Sequence, residues 1–365
     1  MALSKIRLIV VDDSALMRKL ISDMINMEND MEAVCIAKNG EELLQKIPEC
    51  NPDVITLDVE MPKMNGIEAL KEIKKRNINV PVIMLSSVSK TAAKLTMDCL
   101  HYGAFDFVAK PSGSISLDIE KVKDELINKI RTAYSQNNSS NTKIIKRLFL
   151  KKKNINRNHI NISKNKTSGI RRSSVDIRAI AIGASTGGPK ALYKVITNLP
   201  GDLDVPVFLV QHMPVGFTKA FADRLNSKSQ LKVVEAEDNM KIEKSTVYIA
   251  KGGFHMEVKR DGKIHLNDEP TMWGVRPAVD KLFKSAANVY GSNLLSVLLT
   301  GMGRDGADGT VEVKKNNGIT FAEDESTCVI YGMPKAAYET GMVDYVIPLD
   351  DMAKNITKIV LGADK

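Results

Sequence analysis

No apolar run in this 365-residue chain approaches the roughly 20 residues that span a bilayer. Cysteine is scarce as well. The four present (Cys35, Cys50, Cys99, Cys328) form no C-x-x-C pair and show no metal-ligand spacing. Neither a disulfide framework nor a zinc site is expected, and all four read as reduced thiols. The chain enters Ile6-Arg7-Leu8-Ile9-Val10-Val11-Asp12-Asp13 without the pattern of a secretory leader. A P-loop is missing too, because Pro189 stands where G-x-x-x-x-G-K-[ST] needs its lysine. These absences point to a soluble, cytoplasmic protein with no membrane span, long enough for two or three domains.

The formal net charge of +8 suggests nucleic acid until its distribution is considered. Between Ser135 and Ser174 lie eleven Lys or Arg and no Asp or Glu, and the rest of the chain holds 41 basic against 44 acidic residues. The basicity therefore belongs to one Asn-, Ser- and Lys-rich segment, read as a flexible linker over 134–175. Its charge serves solubility, or contact with an acidic surface such as lipid headgroups.

Residues 1–133 alternate β-rich runs with amphipathic stretches. The runs Arg7–Val11, Glu32–Ala37, Val54–Asp58, Val80–Ser86 and Phe105–Ala109 are apolar at successive positions, as parallel strands covered on both faces are. Helical patterns lie between and after them, over Ser14–Met27, Glu41–Ile47, Gly66–Arg76, Thr91–Leu100 and Leu117–Ala133. Five strand–helix repeats predict an α/β, doubly wound sheet that binds ligands at the carboxyl ends of its strands. Those ends carry Asp12, Asp13, Asp58, Ser86 and Lys110. Converging carboxylates repel, so a hard cation such as Mg2+ is their natural occupant. One carboxylate is then free to attack a phosphoryl group whose oxygens Ser86 and Lys110 bind.

A second set of α/β signals starts at Arg178. Strands are expected over Ala179–Ile182, Val207–Val210, Thr246–Ala250, Leu294–Leu299, Ile319–Ala322 and Tyr345–Ile347. Helices are expected to begin near Pro189, Phe217, Pro277, Ala307 and Pro334. A β-hairpin over Glu257–Leu266 turns at Asp261-Gly262. The second domain, 176–365, is therefore read as a mostly parallel sheet with an antiparallel hairpin. Ser185 lies in Gly183-Ala184-Ser185-Thr186-Gly187-Gly188, at a strand-to-helix turn. Glycines there permit a strained backbone, and the helix amino end offers N–H groups to an oxyanion. The plain alternative is a helix-capping serine. His212 and Asp305 also follow strands, so an alkoxide nucleophile, its base and an orienting acid are expected on one rim. Asp305 ranks first as the acid and Asp324 second, while Asp308 lies near a helix start. His101, His159, His255 and His265 read as solvated or structural. Arg276 and Trp273 read equally as substrate contacts or surface.

The motifs then support a resemblance. Asp12-Asp13, Leu57-Asp58-Val59-Glu60-Met61-Pro62, Met64-Asn65-Gly66, Ser86 and Lys110-Pro111 resemble a response-regulator receiver domain. That likeness implies a flavodoxin-like fold and Asp58 as phosphoacceptor. It implies Mg2+ held by Asp13, Asp58 and the main-chain carbonyl of Glu60, with Asp12 nearby. Phe107 takes the place of the switch aromatic, and the Lys110–Pro111 bond is a candidate cis peptide. With Gly183–Pro189, Gln211-His212-Met213-Pro214 and Leu299–Gly306, the whole chain resembles the chemotaxis response-regulator protein-glutamate methylesterases.

The resemblance implies Ser185 as nucleophile, His212 as general base then acid, and Asp305 as orienting acid, with Thr186 and Met302 lining the oxyanion site. It implies chemoreceptors as substrates, a chemotaxis histidine kinase as phosphodonor, and glutamine deamidation beside ester hydrolysis. The esterase chemistry needs no cofactor. In relatives the unphosphorylated receiver covers the active site. The long basic linker here predicts weaker docking and a smaller activation ratio, since effective concentration falls with tether length. The alternative is a response regulator with a non-catalytic output, adaptor or DNA-binding. DNA is not expected, because no helix-turn-helix with a basic recognition helix follows residue 176.

Overall fold

The computed structural model describes residues 5–111, 117–150 and 176–362. The first sheet takes β1 (Ile6–Val11), β2 (Met31–Ala37), β3 (Val54–Asp58), β4 (Val82–Ser86) and β5 (Asp106–Ala109). The helices are α1 (Ala15–Asn26), α2 (Gly40–Cys50), α3 (Gly66–Lys75), α4 (Lys90–His101) and α5 (Leu117–Leu150). Short polar side chains start four of them. Ser14, Asn39 and Ser89 accept first-turn amides, and Asn65 with Glu68 closes a reciprocal capping box. The strand order β2-β1-β3-β4-β5, all parallel, is the flavodoxin-like arrangement.

The second sheet takes β6 (Ala179–Ala184), β7 (Val207–Gln211), β8 (Lys232–Glu235), β9 (Thr246–Ile249), β12 (Leu294–Leu298), β13 (Ile319–Glu323) and β14 (Tyr345–Ile347), with β10 (His255–Val258) and β11 (Ile264–Asn267) as a separate antiparallel pair. Its helices are α6 (Gly188–Ile196), α7 (Phe217–Asn226), α8 (Val279–Tyr290), α9 (Ala307–Lys315), α10 (Met333–Glu339) and α11 (Leu349–Leu361). Seven parallel strands run in the order β14-β13-β12-β6-β7-β9-β8. The chain thus starts in the middle, at β6, and winds outward in both directions. The crevice at the carboxyl end of β6, between β7 and β12, is the switch point where such sheets bind ligands.

One apolar cluster runs through both units. It joins Met97 and Phe107 of the first sheet's layer to Leu192, Phe217 and Phe221 on α6 and α7. The opposite face of the second sheet is covered by α8 and α10 through residues such as Leu282, Phe283 and Ala337. Among the described residues no helix is long and apolar enough to cross a membrane.

Four expectations are corrected. Cys35 on β2 and Cys50 at the end of α2 are joined in a disulfide, their Cα atoms 6.4 Å apart. Packing of α2 on β2 brings together residues whose 15-residue separation carries no local signal. Cys99 and Cys328 are free. The peptide before Pro277, not that before Pro111, is cis. Helix α5 continues past Ala133 to Leu150, so the expected flexible stretch is helical over its first part, and 151–175 lie outside the described residues, His159 among them. The sheet also gains β8, and α11 follows the last strand.

Candidate active site

In the first unit, β1 and β3 are neighbours with Val11 opposite Leu57, so Asp12 and Asp58 leave adjacent strands side by side. One oxygen each from Asp12, Asp13 and Asp58 lies within 4.8 Å of the others. Such an all-oxygen set of hard donors suits a hard divalent cation. Lys110 places its Nζ 2.7 Å from both Asp12 Oδ2 and Asp58 Oδ2. Burial pushes the Asp58 carboxyl up to about 6, although the Lys110 ammonium pulls the other way. Ser86, buried at the end of β4, takes a 2.7 Å hydrogen bond from Thr96 Oγ1. The Glu60 amide donates to Asp58 Oδ1 at 3.3 Å, and the Glu60 carboxylate accepts from Ser87 Oγ at 3.1 Å. All the strand-end residues named from sequence therefore meet at one edge, with Glu60 beside them.

The raised Asp58 value has a measurable consequence. An aspartate whose folded pKa, about 6, exceeds its ordinary 3.8 gives stability that is fully present below about pH 4 and lost as pH rises through 6. The loss amounts to about 3 kcal/mol at most. Without divalent cations, Asp58→Asn is therefore expected to flatten the fall in stability between pH 4 and 6. Denaturant unfolding across that range checks it, and an unchanged slope contradicts it.

In the second unit, Ser185 begins the turn between β6 and α6. Its N–H donates to Thr300 O at 3.0 Å, and its carbonyl accepts from Gly188 N at 2.7 Å. Two glycines are required here. Gly187 has φ +77 and a Cβ there would lie 2.4 Å from Val329 Cβ, while one on Gly188 would lie 2.0 Å from Gln211 Oε1. Ala184 is in register with Gln211, so Ser185 and His212 are the next residues on adjacent strands. Gln211 fastens the two turns together. Its Nε2 donates to the carbonyls of both Ser185 and His212 at 3.0 Å.

Asp305 arrives from the other neighbour, β12, and is 2% exposed. Its Oδ2 lies 2.7 Å from His212 Nε2, which leaves Nδ1 as the other ring nitrogen. The same carboxylate accepts from Val279 N at 2.6 Å and Asp280 N at 2.9 Å. Helix α8 has Ala278 at its N-cap and no capping side chain of its own. Asp305 supplies that cap from a distant loop, and the helix amino end favours its negative charge. Thr186 is buried, and its carbonyl accepts from Thr300 Oγ1 at 3.1 Å. The 300–302 loop passes close to the serine, since a Cβ on Gly301 would sit 2.8 Å from Ser185 Cβ. Met302, next along, is 40% exposed.

Other candidates fall elsewhere. Asp324 turns back on Ser326, whose N–H it accepts at 2.9 Å, and Asp308 pairs with Arg304 at 3.0 Å. His255 is fully buried between the Ala278 amide and the Pro270 carbonyl, His265 pairs with Asp261, and His101 packs on Tyr102 and Tyr193. Arg276 holds the carbonyls of Asp268 and Glu269, so it is a structural clamp. Asp280 carries no sequence signal beyond a first-turn acid, yet it is fully buried. It accepts from Trp273 Nε1 at 2.8 Å, Gly306 N at 3.0 Å and Gly309 N at 2.6 Å. Burial raises its carboxyl above the usual range. It fixes the loop that carries Asp305.

Residues 180–356 match the family model described as CheB methylesterase, and residues 8–120 match the response regulator receiver domain. A protein-glutamate methylesterase/protein-glutamine glutaminase of Clostridium acetobutylicum is 53% identical over 360 residues, 99% of each chain. One of Pyrococcus horikoshii is 47% identical, over 98% of this chain and 94% of that one. This chain belongs to the CheB methylesterase family. Among solved structures, the Thermotoga maritima CheB methylesterase catalytic domain shares 44% identity over 51% of this chain and all of that one, with a TM-score of 0.49.

In this CheB methylesterase the receiver and catalytic units meet beside the serine turn. Phe107 of β5 is buried with its ring centre 4.7 Å from that of Phe217, at the start of α7. Asp98 on α4 pairs with Arg224 on α7. Gln136 on α5 donates to the carbonyls of Cys328 and Val329, and Val329 touches Gly187. A cavity of about 470 Å³ remains in this seam, lined by Met97 and Leu100 on one side and Pro189, Tyr193 and Phe221 on the other.

Proposed function

We infer that this chain removes methyl groups from glutamate methyl esters on chemoreceptors and deamidates particular receptor glutamines. The observation that carries this reading is the 2.7 Å His212–Asp305 bond, at an edge where Gln211 fastens His212 to Ser185. Ser185 Oγ attacks the γ-carbonyl and gives its proton to the imidazole, through Nδ1 in the observed pairing. The protonated ring then hands the proton to departing methanol or ammonia, and water, with His212 as base, hydrolyses the acyl-enzyme. The Asp305 carboxylate holds the ring and stabilises its cation. The turn after Ser185 and the 300–302 loop flank the nucleophile, which supports Thr186 and Met302 as the oxyanion wall.

In this reading the receiver spans 1–133, the tether 134–175 and the catalytic domain 176–365, in the cytoplasm. Asp58 accepts phosphate from a chemotaxis histidine kinase. Asp12, Asp13, Asp58 and the Glu60 carbonyl would hold Mg2+, which supplies positive charge for the phosphoryl oxygens. Lys110 and Ser86 bind those oxygens. Phe107, buried against Phe217, carries the phosphorylation state to the seam.

Mass spectrometry of a methylated, partly amidated chemoreceptor after incubation with the full chain tests the reading. Loss of methyl groups and conversion of glutamine to glutamate are expected with the wild type and not with Ser185→Ala. No wild-type modification overturns it. The seam makes its own prediction. Asp98→Arg sets like charges opposite Arg224 and should raise the activity of unphosphorylated chain several-fold, since weakening the closed state by 1–2 kcal/mol shifts the open population by about five- to thirtyfold. Methanol release without phosphodonor is the readout. No increase would mean this contact does not hold the closed state.

A further inference from the structure

Trp273 is 49% exposed, on the loop that leads into α8. With Gly274 it forms the tip of a turn closed by paired hydrogen bonds between Met272 and Val275, at 3.1 and 3.0 Å. Both tip residues have positive φ, +55 and +78. Glycine or asparagine adopts that backbone cheaply, whereas a bulky aromatic is strained there by about 1 kcal/mol or more. The backbone at this position therefore disfavours tryptophan, and half of the residue faces solvent.

The ring is nevertheless held in place. Its Nε1 donates to Asp280, the buried carboxylate that fixes the Asp305 loop, and the Arg304 guanidinium lies 4.8 Å from the ring centre. Arg304 and the exposed Met302 come from the same short loop as Asp305. The receiver packs on the α6 and α7 side of the sheet, and Trp273 introduces the helix of the opposite side. An aromatic plate with a cation against it, the latter also paired with the exposed Asp308, thus stands on the side of the sheet away from the seam, with the exposed Met302 two residues before Arg304 in the same loop.

We propose that Trp273, Met302 and Arg304 form the shelf on which the substrate's helix docks, with Arg304 pairing a carboxylate about one turn from the scissile ester. The proposal rests on the methylesterase reading above. Residues three or four positions from a glutamyl ester share its helix face. A carboxylate there would meet Arg304 while the helix's apolar flank covers Trp273 and Met302, and buried Trp and Arg are the residues that most often dominate such contacts.

The test uses the phosphorylated full chain and two methylated receptor fragments, with Glu or with Lys flanking the ester on its helix face. The wild type should prefer the Glu-flanked fragment, and Arg304→Glu should reverse the preference. Trp273→Ala should raise KM about tenfold on both fragments, the size of a 1.4 kcal/mol contact. Trp273→Phe, which keeps an aromatic face but no indole N–H, should recover most of that affinity. If Arg304→Glu leaves the preference unchanged, or both Trp273 variants lower kcat alike with KM unmoved, Trp273 merely covers Asp280 and the shelf is refuted. A wild type inactive on both fragments refutes the methylesterase reading instead.

Discussion

Replacing Ser185 with alanine is expected to lower the rate of methanol release from methylated receptor by about 10⁴-fold or more, the scale on which loss of a serine nucleophile acts. The reason is local. The glycine turn, the Gln211 amide and the Thr300 carbonyl fix its main chain one residue past β6, beside His212 one residue past β7. The substitution removes one oxygen from a turn whose backbone bonds are all made by other atoms, so stability should change little. Phosphorylation of Asp58 belongs to a separate strand edge and should proceed as in the wild type. Radiolabelled phosphate on a chain that no longer releases methanol is the expected pair of results. A loss of both activities would point to a damaged fold.

Asp305→Asn should lower kcat by about 10³- to 10⁴-fold with KM little altered, by analogy with the same substitution in a serine protease triad. Here the effect has a second component. Both carboxylate oxygens accept main-chain amides of α8, and one also meets His212 Nε2. The side-chain amide nitrogen must therefore face a donor whichever way it is turned. It either meets the Asp280 N–H or displaces His212 from its ring orientation. A stability loss of about 1–2 kcal/mol is expected alongside the kinetic one, because a helix cap is lost. A variant that keeps the wild-type kcat would remove Asp305 from the mechanism.

Much of this arrangement is legible in the chain because parallel strands announce themselves. Runs such as Leu8–Val11 and Ala179–Ala184 carry no polar side chain, and the first polar residue past each run lands at the ligand-binding edge. Asp12 and Ser185 stand in that position, while Asp58 ends its strand and His212 and Asp305 lie a little past theirs on the same edges. Strand β8 escaped because Lys-Val-Val-Glu is short, half exposed and at the sheet's edge. Asp280 escaped because its partners, Trp273, Gly306 and Gly309, meet only after β12 and α8 have packed. The Cys35–Cys50 pair escaped for the same reason. Helix α5 overran its expected end because Asn and Ser lower helix propensity without forbidding helix. Phe107 was named as a switch aromatic, but its partner Phe217 belongs to the other unit and only packing reveals it.

The most direct measurement is covalent labelling of the phosphorylated chain with a fluorophosphonate, followed by peptide mapping. A single adduct on Ser185, slowed strongly by His212→Ala and by Asp305→Asn, is the predicted result. Absence of labelling at Ser185, or labelling that proceeds at the wild-type rate without the imidazole, would contradict the account.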